Sequence, residues 1–184
     1  GKTSIKWIKE NADLLGIDKN RIVASGGSAG GHLAASTALL SQYDDPKEKN
    51  NKFTSIPSAL ILFNPGLNST QERWIKDQNR IDRAGTNDYF SISPYHNLKN
   101  DAPSTIIFHG TADKTVPFSH AETFTKKSKD LGNECTLYGY ENMEHGFFNF
   151  GRDNNGPFVD TVKKADEFLS SLGYLSPLPT VKIK

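Results

Sequence analysis

The fold of this chain is constrained most by the alternation of short apolar runs with segments of helical periodicity. The apolar runs occupy residues 21–25, 58–63, 105–109 and 134–140. Uninterrupted apolar strands that are separated by helices are typical of a parallel sheet covered on both faces. The sequence therefore predicts an α/β fold with a mostly parallel sheet of about four strands and helices on both of its faces.

The segments between the strands have the spacing of amphipathic helices. Apolar residues recur on one helix face from Ile5 to Leu15, and Gly16 follows them as a stop signal. Two Ser-x-x-Glu patterns, at residues 69–72 and 119–122, fit the capping box that begins many helices. Helices are expected over residues 5–15, 30–42, 70–83, 119–131 and 157–172.

Charge and cysteine content exclude several classes of protein. The 184 residues carry 22 Lys and Arg against 21 Asp and Glu, whereas a dedicated nucleic-acid-binding chain normally has a basic stripe. The single cysteine, Cys135, excludes an intrachain disulfide framework and any multi-cysteine metal site. No apolar run approaches the roughly 18 residues of a membrane span, and the histidines lack the spacing of a metal site. The sequence leaves the compartment open.

A glycine-rich turn at residues 26–30 (GGSAG) carries the candidate nucleophile. It matches G-x-S-x-G between a predicted strand and a predicted helix, where a sharp turn strains the serine and exposes its hydroxyl. Ser28 is therefore the candidate nucleophile, and the amide of Ala29 is the candidate oxyanion donor. A phosphate-binding loop would need Lys and then Ser or Thr after the glycines, but Gly31 and His32 stand there.

Two later loops supply the partners that a serine nucleophile needs, which are a base and a carboxylate that orients it. Asp113 follows the third predicted strand by four residues, and His145 lies in the loop after the fourth. Because the carboxyl ends of parallel strands meet at one edge of a sheet, we expect these side chains to converge. The sequence predicts a triad in which Asp113 hydrogen-bonds His145 and the ring of His145 faces Ser28.

Three motifs carry a resemblance to a known family: residues 27–34 (GSAGGHLA), 109–118 (HGTADKTVPF) and 145–147 (HGF). With these motifs the chain resembles the esterase/lipase superfamily of α/β-hydrolases, and within it the branch of acetylxylan esterases and other small-ester carboxylesterases. The chain order Ser, Asp, His is also that of α/β-hydrolases. The chain departs from many relatives at Gly27, where they carry Asp or His, and at Glu144, where they carry Gly.

The resemblance implies that the chain is the C-terminal half of an α/β-hydrolase fold, because it begins at the helix before the fifth of the family's eight strands. We expect residues 1–184 to be one partial domain, with the nucleophile turn at 25–31, a substrate-entrance insert at 64–103 and a C-terminal tail at 174–184. The loop that supplies further oxyanion amides would lie in the other half. Strand 21–25 is then expected to have a bare edge through which the chain self-associates.

The resemblance implies a serine esterase that hydrolyses esters of small acyl groups, such as acylated carbohydrate, with no cofactor. A prolyl-oligopeptidase-like peptidase is one alternative, although such enzymes usually carry an aromatic residue where this chain has Ala29. A non-catalytic chain without the oxyanion loop is the other.

For four further side chains, the surrounding sequence predicts a role less specifically. We expect packing or a local hydrogen bond for His32, a structural role for His109 and an exposed position for His120. Trp74, on the predicted helix of residues 70–83, is expected either to pack on the body of the domain or to line the acyl entrance.

Overall fold

A parallel sheet organises the part of the chain that the computed structural model describes, which is residues 1–48, 52–77, 79, 82 and 85–176. The strands lie side by side in the order β1-β2-β3-β4, and each adjacent pair is parallel. The predicted parallel sheet of four strands is therefore confirmed. Its strands are Val23–Gly27 (β1), Ala59–Phe63 (β2), Ser104–Gly110 (β3) and Cys135–Tyr140 (β4).

Helices connect the strands. They are Lys2–Glu10 (α1), Ala12–Leu15 (α2), Ala29–Leu39 (α3), Glu72–Ile75 (α4), Phe118–Asp130 (α5) and Gly156–Ser171 (α6). Short 3-10 turns occur at Ser41–Tyr43, Pro46–Glu48 and Asp153–Asn155.

Both faces of the sheet carry helices, as predicted. Because side chains alternate along a strand, Leu60 and Leu62 of β2 pack towards α3 and α5, whereas Ile61 and Phe63 pack towards α6. Burying a leucine side chain of this kind contributes about 1.5–3 kcal/mol. This two-sided core holds the carboxyl ends of the strands in a fixed arrangement.

Several element boundaries differ from the sequence expectation. Strand β1 extends through Gly27, two residues further than predicted, because Gly26 and Gly27 still pair with β2. The first helix is interrupted at Asn11, whose side-chain amide donates to the carbonyl of Trp7 at 2.8 Å. Gly16 ends the second piece with φ 66°, as predicted.

The two predicted capping boxes are wrong. Helix α5 begins directly after Pro117, which places Ser119 inside the helix. The hydroxyl of Ser69 donates instead to the carbonyl of Ile92 at 3.2 Å, and α4 begins at Glu72.

Parts of two predicted segments lie outside the described residues. Within the predicted helix at 70–83, α4 is present and Asn79 and Asp82 are helical, whereas residues 78, 80, 81 and 83 are not described. Residues 177–184 of the predicted tail are likewise outside the described part of the chain.

One edge of the sheet is formed by β1. In the ranges that the structure describes, β1 pairs only with β2. The backbone groups on its other side therefore have no strand partner there, as expected from the sequence.

Candidate active site

The turn between β1 and α3 holds Ser28 in a strained conformation. Ser28 has φ 56° and ψ −118°, a region that costs a residue with a side chain on the order of 1–3 kcal/mol. Hydrogen bonds fix the backbone on both sides of it. The amide of Ser28 donates to the carbonyl of Phe63 at 2.8 Å, and the amide of His32 donates to the carbonyl of Ser28 at 3.0 Å. The backbone strain that the G-x-S-x-G pattern predicts is present.

Close backbone approach explains one of the two motif glycines. A Cβ on Gly26 would lie 2.4 Å from the carbonyl carbon and oxygen of Gly30, so β1 and α3 can meet only if residue 26 has no side chain. A Cβ on Gly30 would meet no described atom within 4 Å. The G-x-S-x-G pattern thus has a steric reason for glycine at residue 26 but none at residue 30.

The segment that follows His145 packs against the nucleophile turn. A Cβ on Gly27 would lie 2.8 Å from the ring of Phe148, three residues after the histidine. Gly27 directly precedes Ser28, so this contact brings the histidine loop next to the serine turn. It also gives a physical reason for glycine at a position where the chain departs from many relatives.

The hydrogen bond predicted between Asp113 and His145 is confirmed. Nδ1 of His145 lies 2.7 Å from Oδ2 of Asp113. The other carboxylate oxygen, Oδ1, accepts the amides of Thr115 and Val116 at 2.8 and 2.9 Å. The histidine loop is held in turn by Arg152, whose Nη1 donates to the carbonyl of His145 at 3.2 Å.

The environment of Asp113 favours its ionised form. Burial alone would raise the pKa of this carboxyl group, but the amide of Val116, the ring of His145 and two further donors outweigh burial and hold the pKa below its usual range. An ionised Asp113 accepts the Nδ1 proton of His145, which leaves Nε2 of the ring free to take a proton.

Sequence reasoning missed Asn64, which directly follows β2. Its side chain is fully buried, its φ is 42°, and its Nδ2 donates to Oδ2 of Asp113. In the sequence Asn64 is followed by Pro65 and Gly66, a combination that by itself indicates only a turn after a strand. A polar residue at the carboxyl end of the strand that neighbours β3 was the signal that could have found it.

Three further histidines have different environments. Nδ1 of His32 lies 2.8 Å from the carbonyl oxygen of Gly66, so the expected hydrogen bond is present, but its partner lies 34 residues further along the chain and is not local. His109 is fully buried at the end of β3, and burial lowers its pKa, in agreement with a structural role. The exposed position expected for His120 is wrong, because it is buried with its ring 5.4 Å from that of Trp74.

A cavity of about 500 Å³ opens beside the nucleophile turn. Half of its lining comes from the long connection at residues 64–103. The lining residues are Ser28, Ala29, His32, Gly66, Ser69, Trp74, Tyr89, Ile92, Thr115 and Val116.

Within the described residues, no group of three or more His, Cys, Asp or Glu side chains is arranged to hold a metal ion. In the same ranges, no helix has the length and apolar character needed to cross a bilayer.

Comparison with known proteins places this geometry in a family. The BD-FAE family model matches residues 1–128. The chain belongs to the BD-FAE family. Together with the parallel sheet and the strained serine turn, this membership identifies the α/β-hydrolase type of fold that the sequence motifs predicted.

Several esterases are similar to this BD-FAE chain. Esterase 2 of Thermogutta terrifontis is 44% identical, with a TM-score of 0.87 over 96% of this chain and 64% of that protein. Esterase LipC of Mycobacterium tuberculosis is 27% identical over 88% of this chain and 43% of its own length. The acetylxylan esterase of Xylanibacter ruminicola is 26% identical over 95% of this chain and 34% of its own length. The chain thus spans less than half the length of these two curated relatives and about two thirds of esterase 2.

Two glycine-to-alanine substitutions test the packing of the nucleophile turn. Gly26→Ala is expected to destabilise the protein by about 1–3 kcal/mol or more, since its Cβ would meet backbone at 2.4 Å. Gly30→Ala is expected to be neutral or to stabilise by about 0.5–1 kcal/mol, because it replaces an unobstructed glycine inside α3. Urea unfolding of both variants measures the difference. Equal stability of the two variants would contradict this account of the turn.

Proposed function

We propose that this BD-FAE chain carries the catalytic residues of a serine esterase. The observation that carries the proposal is the hydrogen bond from His145 to a buried, ionised Asp113, beside the strained turn that holds Ser28. The packing of Phe148 against Gly27 supports the convergence of the histidine loop on the serine. The similarity to named esterases favours ester hydrolysis over the peptidase and non-catalytic alternatives.

The mechanism follows from the roles that these side chains can perform. His145 takes the proton of Ser28 through Nε2 as the hydroxyl oxygen attacks the ester carbonyl. The imidazolium that forms is stabilised by Asp113, and it then protonates the departing alcohol. Water, deprotonated by His145 in turn, attacks the acyl-enzyme, and the acid leaves as Ser28 recovers its proton.

The amide of Ala29 is the proposed oxyanion donor. Ala29 is the first residue of α3, so its amide belongs to the helix N-terminus, which carries partial positive charge. Such donors stabilise the negative charge that develops on the carbonyl oxygen, and the loss of one typically costs about 10²–10³ in rate.

Residues 64–103 are proposed to form the substrate entrance, since they supply half of the cavity lining. This segment is tied together by the hydroxyl of Tyr89, which donates to the carbonyl of Ile75 at 3.3 Å. Trp74 packs its ring within contact distance of Gly66 and edge-on to His120. A cavity bounded by a fixed indole ring favours small acyl groups.

Esters of small acyl groups, including acetylated carbohydrate, are the proposed substrates. Structures of T. terrifontis esterase 2 hold propionate and butyrate, and the X. ruminicola relative is named for acetylxylan. Both observations concern relatives, and they support a short acyl chain for this protein.

Replacing the proposed nucleophile tests the function directly. Ser28→Ala in the full-length protein is expected to lower kcat for p-nitrophenyl acetate by a factor on the order of 10⁶, because no acyl-enzyme can form. Ser36→Ala is the matched control, since Ser36 lies in the adjacent helix and its buried hydroxyl has no hydrogen-bond partner among the described residues. Most of the activity remaining in pure Ser28→Ala protein would remove this serine from the mechanism.

The proposed entrance predicts a change in chain-length preference. Trp74→Ala is expected to raise the ratio of kcat/KM for p-nitrophenyl hexanoate to that for the acetate by about tenfold, because the cavity grows. Trp7→Ala serves as the control, since Trp7 is exposed on α1. An unchanged ratio in Trp74→Ala would place the acyl group elsewhere.

The free edge of β1 is proposed to bind a strand of a second copy when the 184-residue chain is studied alone. Unpaired backbone groups along the edge of a strand are a template for such pairing. Sedimentation velocity of this chain is expected to show association that increases with concentration. A monomer at every concentration would contradict the proposal.

A further inference from the structure

We propose that Asn64 is a positioning residue for the Asp113–His145 pair, a role that rests on the proposed esterase function. Its side-chain amide binds the same oxygen, Oδ2 of Asp113, that accepts the proton on Nδ1 of His145. Asn64 does not line the cavity, and its side chain reaches the site through its hydrogen bond to Asp113.

The first argument is the complete occupation of the Asp113 carboxylate. A carboxylate has about four acceptor positions, and four donors meet this one. Oδ1 accepts the amides of Thr115 and Val116, and Oδ2 accepts His145 and Asn64. Without Asn64, Oδ2 would keep the hydrogen bond from His145 and the more distant Nε2 of His109 at 3.4 Å, so its position would depend mainly on the histidine that it must orient.

The second argument is the conformation in which Asn64 is held. Its φ of 42° lies in the left-handed region, where asparagine is among the few side chains tolerated. The backbone amide of Asn64 donates to the carbonyl of Phe108 in β3 at 2.8 Å. The side chain thus projects from a backbone that is fixed to the strand which leads to Asp113.

The third argument comes from the side-chain oxygen of Asn64. Its Oδ1 is buried and has no hydrogen-bond partner among the residues that the structure describes. A buried acceptor without a partner destabilises the folded state, so fold stability alone does not account for asparagine here. The donor on Nδ2 does account for it, because each hydrogen bond to a buried carboxylate stabilises its ionised form.

Two titratable side chains lie close to Asp113, and a substitution at residue 64 would change the electrostatic environment of both. His145 faces Asp113 from the loop after β4 at 2.7 Å, and Nε2 of His109 faces it from the end of β3 at 3.4 Å. Nε2 of His109 lies nearer to the carbonyl oxygen of Val116, at 2.9 Å. A carboxyl group placed at residue 64 would therefore lie against Asp113, and two carboxyl groups in contact share one proton.

Two substitutions in the full-length protein test the proposal. Asn64→Gly keeps a residue that tolerates positive φ and removes the donor. It is expected to lower kcat for p-nitrophenyl acetate by about 10- to 100-fold, the range expected when one hydrogen bond to a charged group is lost, with KM unchanged. Asn64→Asp keeps the shape and makes the donor depend on a proton that residue 64 shares with Asp113, because two carboxyl groups in contact do not both ionise. It is expected to add a loss of kcat/KM towards high pH that the unmodified protein lacks, since the donor disappears when the shared proton dissociates.

Asn154→Gly is the matched control, because Asn154 has φ 52° and is exposed in the loop before α6. It makes the same substitution at the same kind of backbone position, away from Asp113. It is expected to leave kcat and the pH profile unchanged.

A spectroscopic measurement separates this proposal from the esterase proposal. The proton shared by Asp113 and His145 is expected to give a strongly deshielded NMR signal in the unmodified protein and to lose or shift that signal in Asn64→Gly. If Asn64→Gly keeps the signal, kcat and pH profile and only unfolds at lower temperature, Asn64 is structural and the proposal is overturned. If the unmodified protein hydrolyses no ester, the proposed function fails, while the NMR signal still tests Asn64.

Discussion

The buried carboxylate of Asp113 is the constraint on which the rest of the site depends. A charge in this position is tolerated only when its oxygens are fully hydrogen-bonded. The donors come from the end of β2, the turn after β3 and the loop after β4, so three consecutive strands must end in register. The parallel sheet provides that register, and the two-sided core holds it. Fold and site are therefore linked through one ionised side chain.

The strained turn at Ser28 depends on the same framework. Its conformation persists because the amide of Ser28 binds Phe63 in the neighbouring strand and because Gly26 lets α3 approach β1. Phe63 precedes Asn64, so the end of β2 supports both the serine turn and the aspartate. Strand β2 thereby connects the proposed nucleophile to the proposed acid–base pair, although none of its residues lines the cavity.

Local patterns in the sequence predicted the strands, the serine turn and the hydrogen bond between Asp113 and His145, because each depends on residues at the end of a strand. The role of Asn64 could not be predicted in this way, since it depends on the register of β2 against β3. The burial of His120 depends on a distant contact with Trp74. The helix start at Phe118 was missed because Pro117 is the N-cap residue, two positions before Ser119, so the Ser-x-x-Glu pattern lies inside the helix.

The central claim is that Ser28 is activated by His145, and covalent labelling tests it most directly. Paraoxon transfers a diethyl phosphoryl group to an activated serine and releases p-nitrophenolate, so one equivalent of the phenolate reports one modified site. The account predicts stoichiometric release by the full-length protein, with the added mass located on Ser28 by peptide mass spectrometry and no labelling of Ser28→Ala. Labelling at another residue, or equal labelling of Ser28→Ala, would contradict it.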